Sequence, residues 1–313
     1  MIAPKFVDLY ARNAGIRDKL VVERDVVLTY ALRALLDEGV MDHLAFKGGT
    51  CLRKIVFGSS GRFSEDLDFT IASELSEDDV LVRLVEVFNR AHHGIAFTLG
   101  EYYKTEDDTS FGGDVLYRHD WNDGGRFRLQ VSLRERPTLP LAAQPLQPQG
   151  YFAHLEFEPF AVRALLPIEV IAEKVRASYQ RAKVRDLYDL YRFAPKPFDG
   201  ELLRHLVVLK LWQARDPFDA EVFFAGLRSN RYDWDDLRRL LRADERIEPA
   251  DVLTAVEGRF ALLRNLTDLE REVVADAKSG WNDVLAGKLR EQARSLFRRH
   301  QSPSAAGPSA APP

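Results

Sequence analysis

Arg62-Phe63-Ser64-Glu65-Asp66-Leu67-Asp68-Phe69 is the stretch on which both the fold and the chemistry turn. From Asp66 to Ile71 (DLDFTI) polar and apolar residues alternate, which is the period of a strand with one buried face. In extended backbone, residues i and i+2 project to the same side. Asp66 and Asp68 therefore stand together, while Leu67 and Phe69 point into the core. Two carboxylates held this close repel each other, and the arrangement favours a divalent cation between them. Mg²⁺ is typically held by one or two carboxylates together with substrate phosphates. A solvated edge-strand face is the blander reading that D-x-D alone leaves open.

Upstream, His43 to Lys47 reads as a short strand entering the turn Gly48-Gly49, with Thr50 placed to cap a helix running to about Phe57. Backbone without Cβ atoms at a helix N-terminus can approach a phosphate closely and offer it N–H groups, although most Gly-Gly pairs are simply tight turns. Residues 19–39 carry one apolar helical face that Gly39 can close, and Ser76 to His92 is amphipathic with an acidic first turn. The period then changes to two over 95–104, 114–119 and 126–134, which read as strands. Four prolines between 137 and 148 mark a loop or crossover.

Beyond Pro167 helix-length periodicity dominates, over 167–192, 200–214, 218–227, 250–264 and 282–299. In the first of these, Glu169 and Glu173 are spaced i,i+4 and Lys174 follows, as on an ordinary charged surface helix. Lys174, Arg176, Arg181, Lys183 and Arg185 occur with no acid among them, and Asp186 and Asp189 come next. Such a run suits a triphosphate or an RNA backbone, or else a solvated face. In the last helix Arg290, Arg294 and Arg298 share one side, either as an RNA contact or as a solubilising outer face. The expected fold class is α/β (α+β), with a mixed-sheet domain over 1–165, a helical domain over 166–301 and a disordered tail over 302–313.

At 313 residues the chain has room for about two domains. Forty-four Lys and Arg against 48 Asp and Glu give a net charge of −4, so no global positive field draws it to nucleic acid or membrane. Any polyanion must bind a local patch. The single cysteine, Cys51, excludes an intrachain disulfide and fits a reducing compartment. No basic-then-apolar leader and no apolar stretch of about 20 residues is present, so the expectation is a soluble cytoplasmic protein without a membrane partner.

Taken in order, four segments resemble one family. They are Phe46-Lys47-Gly48-Gly49-Thr50-Cys51-Leu52-Arg53-Lys54, Arg62 to Phe69, Glu173-Lys174, and Arg185-Asp186-Leu187-Tyr188-Asp189-Leu190. The family is that of the AbiEii-type nucleotidyltransferases, which includes the MenT toxins of type IV toxin–antitoxin systems, and the likeness covers roughly residues 20 to 195. It implies a DNA polymerase β-like nucleotidyltransferase core, a helical C-terminal domain, and use of NTP and Mg²⁺. It also implies addition of nucleotides to the 3′ acceptor end of tRNA, which blocks aminoacylation, and a cognate antitoxin. Carried onto this chain, Lys47, Gly48, Gly49 and Thr50 with Arg62 and Ser64 would bind the nucleotide. Asp66 and Asp68 would hold the metal, Lys174 would sit on the phosphates, and Asp186 or Asp189 would supply a further active-site carboxylate.

One departure from the wider superfamily stands out. Its third carboxylate belongs on a later strand, here within Arg126 to Arg134, where RFRLQVSLR offers Gln130 and Ser132 instead. Two rival readings keep the same residues. An NTP-dependent kinase or protein-modifying enzyme would release no pyrophosphate, and a non-catalytic RNA- or partner-binding protein would not need the acidic pair.

Overall fold

A computed structural model of the chain describes residues 2–301 apart from residues 17, 107, 135 and 230; the tail expected over 302–313 lies outside the described residues. Eight strands form one mixed sheet. They are β1 (Leu44–Lys47), β2 (Asp66–Ile71), β3 (Ala91–His92), β4 (Ile95–Lys104), β5 (Ser110–His119), β6 (Asn122–Ser132), β7 (Ala142–Pro145) and β8 (Ala161–Ala164). Their spatial order is β3-β4-β5-β6-β2-β1-β8-β7. At the centre, β2 runs antiparallel to β1 and parallel to β6, so Asp68 lies between Lys47 on one neighbour and Gln130 on the other.

The helices are α1 (Pro4–Ala14), α2 (Lys19–Asp37), α3 (Gly48–Cys51), α4 (Glu77–Phe88), α5 (Pro167–Gln180) and α6 (Val184–Phe193), then α7 (Gly200–Gln213), α8 (Ala220–Ser229), α9 (Trp234–Arg238), α10 (Pro249–Phe260), α11 (Asp268–Ser279) and α12 (Asp283–Gln301). The architecture is thus a mixed eight-stranded sheet with helices, followed by a helical C-terminal part. One apolar core runs through both, from Ile2 to Leu296. None of the described helices is long and apolar enough to cross a membrane.

Several boundaries differ from the sequence expectation. The helix expected to begin with a Thr50 cap starts at Gly48 and continues as a wide π-turn over Leu52–Phe57, so Thr50 lies inside it. Its hydroxyl is spent instead on the carbonyl of Asp66. The helix expected over 76–92 is fixed at its start by the reciprocal Ser76–Asp79 capping box, but it ends at Phe88 and the chain turns into β3. The proline-rich 137–148 segment contains β7. That strand is the outermost of the sheet and Pro145 is its last residue, a position where proline's missing N–H costs least.

The most consequential difference is the break in 167–192. Arg181 is extended (φ −154°, ψ 152°), and α5 and α6 are separate helices. In one straight helix Lys174 and Asp186 would be about 18 Å apart along the axis. The break folds α6 back and brings Lys174 Nζ to 2.8 Å from Asp186 Oδ1.

Candidate active site

The Gly48-Gly49 turn is shaped around β2 and the loop before it. Gly48 has φ 78°, and a Cβ there would lie 2.2 Å from Asp68 Oδ2. No side chain fits, so backbone approaches the carboxylate directly. A Cβ on Gly49 would lie 2.5 Å from a guanidinium nitrogen of Arg62 and 3.3 Å from Ser64 Oγ. Arg62 and Ser64 thus form the floor beneath the turn, both buried. The Thr50 hydroxyl donates to the Asp66 carbonyl and ties α3 to the acidic strand.

Asp66 and Asp68 are half-buried on one face of β2, with Leu67 and Phe69 fully buried on the other. Among the described residues neither carboxylate has a salt-bridge partner. Burial lifts the Asp66 carboxyl above the ordinary aspartate value, with Arg185 only partly opposing it. Burial, followed by the neighbouring Asp66 charge, likewise raises Asp68. Desolvation comes first for both groups, and the mutual repulsion of the pair adds to it at Asp68.

The surrounding cations are by contrast firmly placed. Arg62 grips Asp189 with both prongs of its guanidinium, Nε to Oδ1 at 2.9 Å and a terminal nitrogen to Oδ2 at 2.8 Å. Lys174 Nζ sits between Asp186 at 2.8 Å and Asp189 at 2.9 Å. Burial opposes the charge on Lys174, but these two acids outweigh it and raise its pKa. Arg181 closes the other side of Asp186 at 2.9 Å. Burial works against an ionised Asp186 as well, yet Lys174 and Arg181 hold it well below the usual carboxylate range.

Lys47 Nζ is 3.1 Å from Glu173 Oε2. Glu173 also meets Lys210 at 3.1 Å, and Lys210 reaches Glu169 at 2.9 Å. Burial resists ionisation of Glu173, and Lys47 and Lys210 override it, keeping the carboxyl far below its ordinary range. The i,i+4 glutamates expected on a solvated helix face are therefore buried, and Lys210 is clamped between them.

These groups border a cleft of about 340 Å³. Asp68 and Gly48 line it on the β1–β2 side, and Lys47, Lys174, Arg176 and Arg181 supply positive charge. The opposite wall is polar: Thr105, Thr109, Ser110, Gln130, Ser132 and Arg134. It is internally braced, with Gln130 donating to Ser110 at 2.8 Å and Arg134 donating to Thr109 at 2.9 Å.

Lys47, Gly48, Gly49, Thr50, Arg62, Ser64, Asp66, Asp68, Lys174, Asp186 and Asp189 thus come together around one region, from β1, α3, the loop before β2, β2, α5 and α6. The cationic run does not act as one face. Arg185 turns to Asp236 at 2.8 Å and Lys183 is exposed, whereas Arg176 lines the cleft. Asp186 and Asp189 are already saturated by Lys174, Arg62 and Arg181, and no cluster of three potential metal ligands occurs among the described residues. Asp66 and Asp68 are the donor pair that fits a divalent cation, since they are adjacent, raised in pKa and unpaired.

Sequence reading missed the Glu169–Glu173–Lys210 clamp and the Thr105–Thr109–Ser110 wall. Only an excess of small hydroxyl residues around the β4–β5 turn could have pointed to the wall.

The family model of the nucleotidyl transferase AbiEii toxin, type IV toxin–antitoxin system, matches residues 30–296. Among solved structures the fold is similar to MenT4, a nucleotidyltransferase toxin from Mycobacterium tuberculosis H37Rv. The TM-score is 0.76 at 27% identity, over 92% of this chain and 99% of that one. No curated protein sequence matches the chain. With the match extending over most of its length, the chain belongs to the AbiEii family of nucleotidyltransferase toxins of type IV toxin–antitoxin systems.

Proposed function

We propose that this protein is a Mg²⁺-dependent enzyme that transfers NMP from an NTP to the 3′ acceptor end of tRNA, with release of pyrophosphate and loss of aminoacylation. The observation that carries the reading is the contrast at the cleft. Asp66 and Asp68 lie without a salt-bridge partner on one strand face, while Lys47, Lys174 and Arg181 are held in ion pairs around the opening that Asp68 and Arg176 also line.

Mg²⁺ held by Asp66 and Asp68 would offset their repulsion, screen the NTP phosphates and acidify the attacking hydroxyl. The chain's own residues do the rest. The Gly48-Gly49 backbone packs directly on Asp68, close enough to present its N–H groups to a triphosphate held there, and Arg62 and Ser64 support that turn from below. Lys174 faces the departing pyrophosphate, and Asp186 and Asp189 enter as the active-site carboxylates that hold it in place. The acceptor's ribose 3′-oxygen attacks the α-phosphorus in line. The new P–O bond forms as the bond to the β-phosphate oxygen breaks, pyrophosphate leaves, and the hydroxyl proton passes to water. Each NTP, labelled at the α-phosphate, tests this when incubated with total tRNA and Mg²⁺. Lengthened, labelled tRNA with equimolar pyrophosphate is expected. Label in a protein, or labelled NDP released without pyrophosphate, would identify a protein-modifying enzyme or a kinase instead. A type IV antitoxin and the cytoplasm complete the reading as partner and compartment.

A further inference from the structure

Asp68 lines the cleft, and Asp66 precedes it by two residues on the same face of β2. The cations that act on Asp66 are Arg185, Arg128 and Arg24, whereas Lys174, Lys47 and Arg181 act on Asp68. The acidic pair therefore separates two environments, and a two-substrate transfer needs both.

On this face the sheet sets two rows of residues side by side, one through Asp66 and one through Asp68. Asp66 stands opposite Arg128 on β6, and Asp68 stands opposite Gln130. Gln130 is opposite Gly112 on β5, and Gly112 is opposite Tyr103 on β4. The glycine matters here, because a Cβ on Gly112 would lie 3.0 Å from Tyr103 Oη. With no side chain in the way, the tyrosine leans across β5. Arg128 carries its guanidinium over the ring, 5.5 Å from the centroid.

Among the described residues the Tyr103 hydroxyl oxygen is buried and has no hydrogen-bond partner. A buried hydroxyl left unpaired is costly, and such a group points to a partner missing from the free protein. Burial raises the phenol's pKa, so it remains a donor. A guanidinium opposite Asp66 for a phosphate and, stacked beneath it in the Asp68 row, a phenol for a sugar hydroxyl match the terminal nucleotide of an RNA. The arginines of α12 are less suited to that task. Arg294 is tied to the Thr138 carbonyl at 2.9 Å, and Arg298 to Glu291 at 2.5 Å.

We infer that Tyr103 and Arg128 position the RNA acceptor: Arg128 takes the phosphate of the terminal nucleotide and Tyr103 Oη donates to its 2′-hydroxyl, leaving the 3′-hydroxyl at Asp66. This inference rests on the transfer to RNA proposed above. Steady-state transfer, with NTP and RNA varied independently, tests it in wild type, Tyr103→Phe, Arg128→Ala and Arg128→Lys. Loss of one such hydrogen bond should raise KM for the RNA roughly tenfold and leave KM for the NTP within about twofold. Arg128→Lys should recover part of the loss of Arg128→Ala.

An acceptor ending in a 2′-deoxyribose should cost the wild type the same factor as Tyr103→Phe and cost the Phe variant nothing more. RNA KM values unchanged in the variants, or a Phe penalty undiminished on the deoxy acceptor, would overturn this inference alone. Failure of the wild type to extend any RNA would overturn the transfer reading and this inference with it.

Discussion

Two acidic sites, one fully buried and one half-buried, less than fifty residues apart in sequence, show opposite electrostatics. Asp25 on α2 is fully buried and accepts from Arg53 Nε at 2.9 Å and Lys54 Nζ at 2.8 Å. Burial alone would raise its carboxyl, but the two cations pull it down to about 2. Tyr10, Gln149 and Tyr151 complete the network, and burial lowers Lys54 to about 8. Asp66 and Asp68 have no such partners, and both carboxyls are raised. The first site is compensated from within and serves to anchor the helix that follows the Gly-Gly turn. The second is left uncompensated, as the proposed binding of a cation and a triphosphate there requires.

The largest separation between the two sites should appear in activity. Asp66→Ala or Asp68→Ala is expected to lower nucleotide transfer by at least about a thousandfold, because the cation loses half of its protein ligands. Growth of a bacterial host expressing the protein should recover with the same substitutions at matched soluble levels. Wild-type transfer by a normally melting Asp68→Ala protein would remove the pair from the mechanism.

Asp25→Ala should do the reverse in kind. Leaving Arg53 and Lys54 buried without a counter-charge is expected to cost about 3–5 kcal/mol in denaturant unfolding. Loss of transfer should then follow only from loss of folded protein.

The two sites also differ in pH linkage. Asp25 is lower in the folded state than in the unfolded chain, so its stabilisation is complete above the ordinary aspartate pKa and is lost as pH falls through about 2. Asp66 and Asp68 are higher in the folded state. They cost stability at neutral pH, and that cost is relieved as pH falls through their raised values. The acid limb of an unfolding curve should therefore become steeper on Asp66→Asn and shallower on a variant that removes Asp25 but still folds.

Gly48→Ala is expected to reduce transfer about a hundredfold with a modest loss of stability, since the added methyl at positive φ meets Asp68 and shifts it. At the small end, Arg298→Ala on the exposed end of α12 should change stability by less than about 0.5 kcal/mol, since its pairing with Glu291 is solvent-exposed. RNA affinity unchanged in Arg290→Ala/Arg298→Ala would fit Arg128 and Tyr103 as the acceptor site. A loss exceeding that of Arg128→Ala would move the acceptor to α12.

The sequence made the local parts of this account legible. Alternation in DLDFTI marked β2 and its same-face carboxylates, and the period change at Ile95 marked β4 to β6. What it could not display were pairings across long separations. Arg62 meets Asp189 127 positions later, and Lys210 meets Glu173 from 37 positions away. Neither leaves a periodic trace. The break after Gln180 was hidden because apolar spacing continues through it. Only the folded structure shows that Lys174 must turn back on Asp186 and Asp189. Tyr103 was unremarkable for the same reason, as its significance depends on a glycine in the neighbouring strand.

Thermal melting of wild type and of Asp66→Asn/Asp68→Asn, with and without Mg²⁺ and NTP, tests the uncompensated pair most directly. Without ligands the double variant should melt a few degrees above the wild type, because the repulsion and desolvation of two charges are gone. Mg²⁺ with NTP should then raise the wild-type midpoint and leave the variant unmoved. A variant that melts below the ligand-free wild type, or that responds to Mg²⁺ and NTP as the wild type does, would contradict the account.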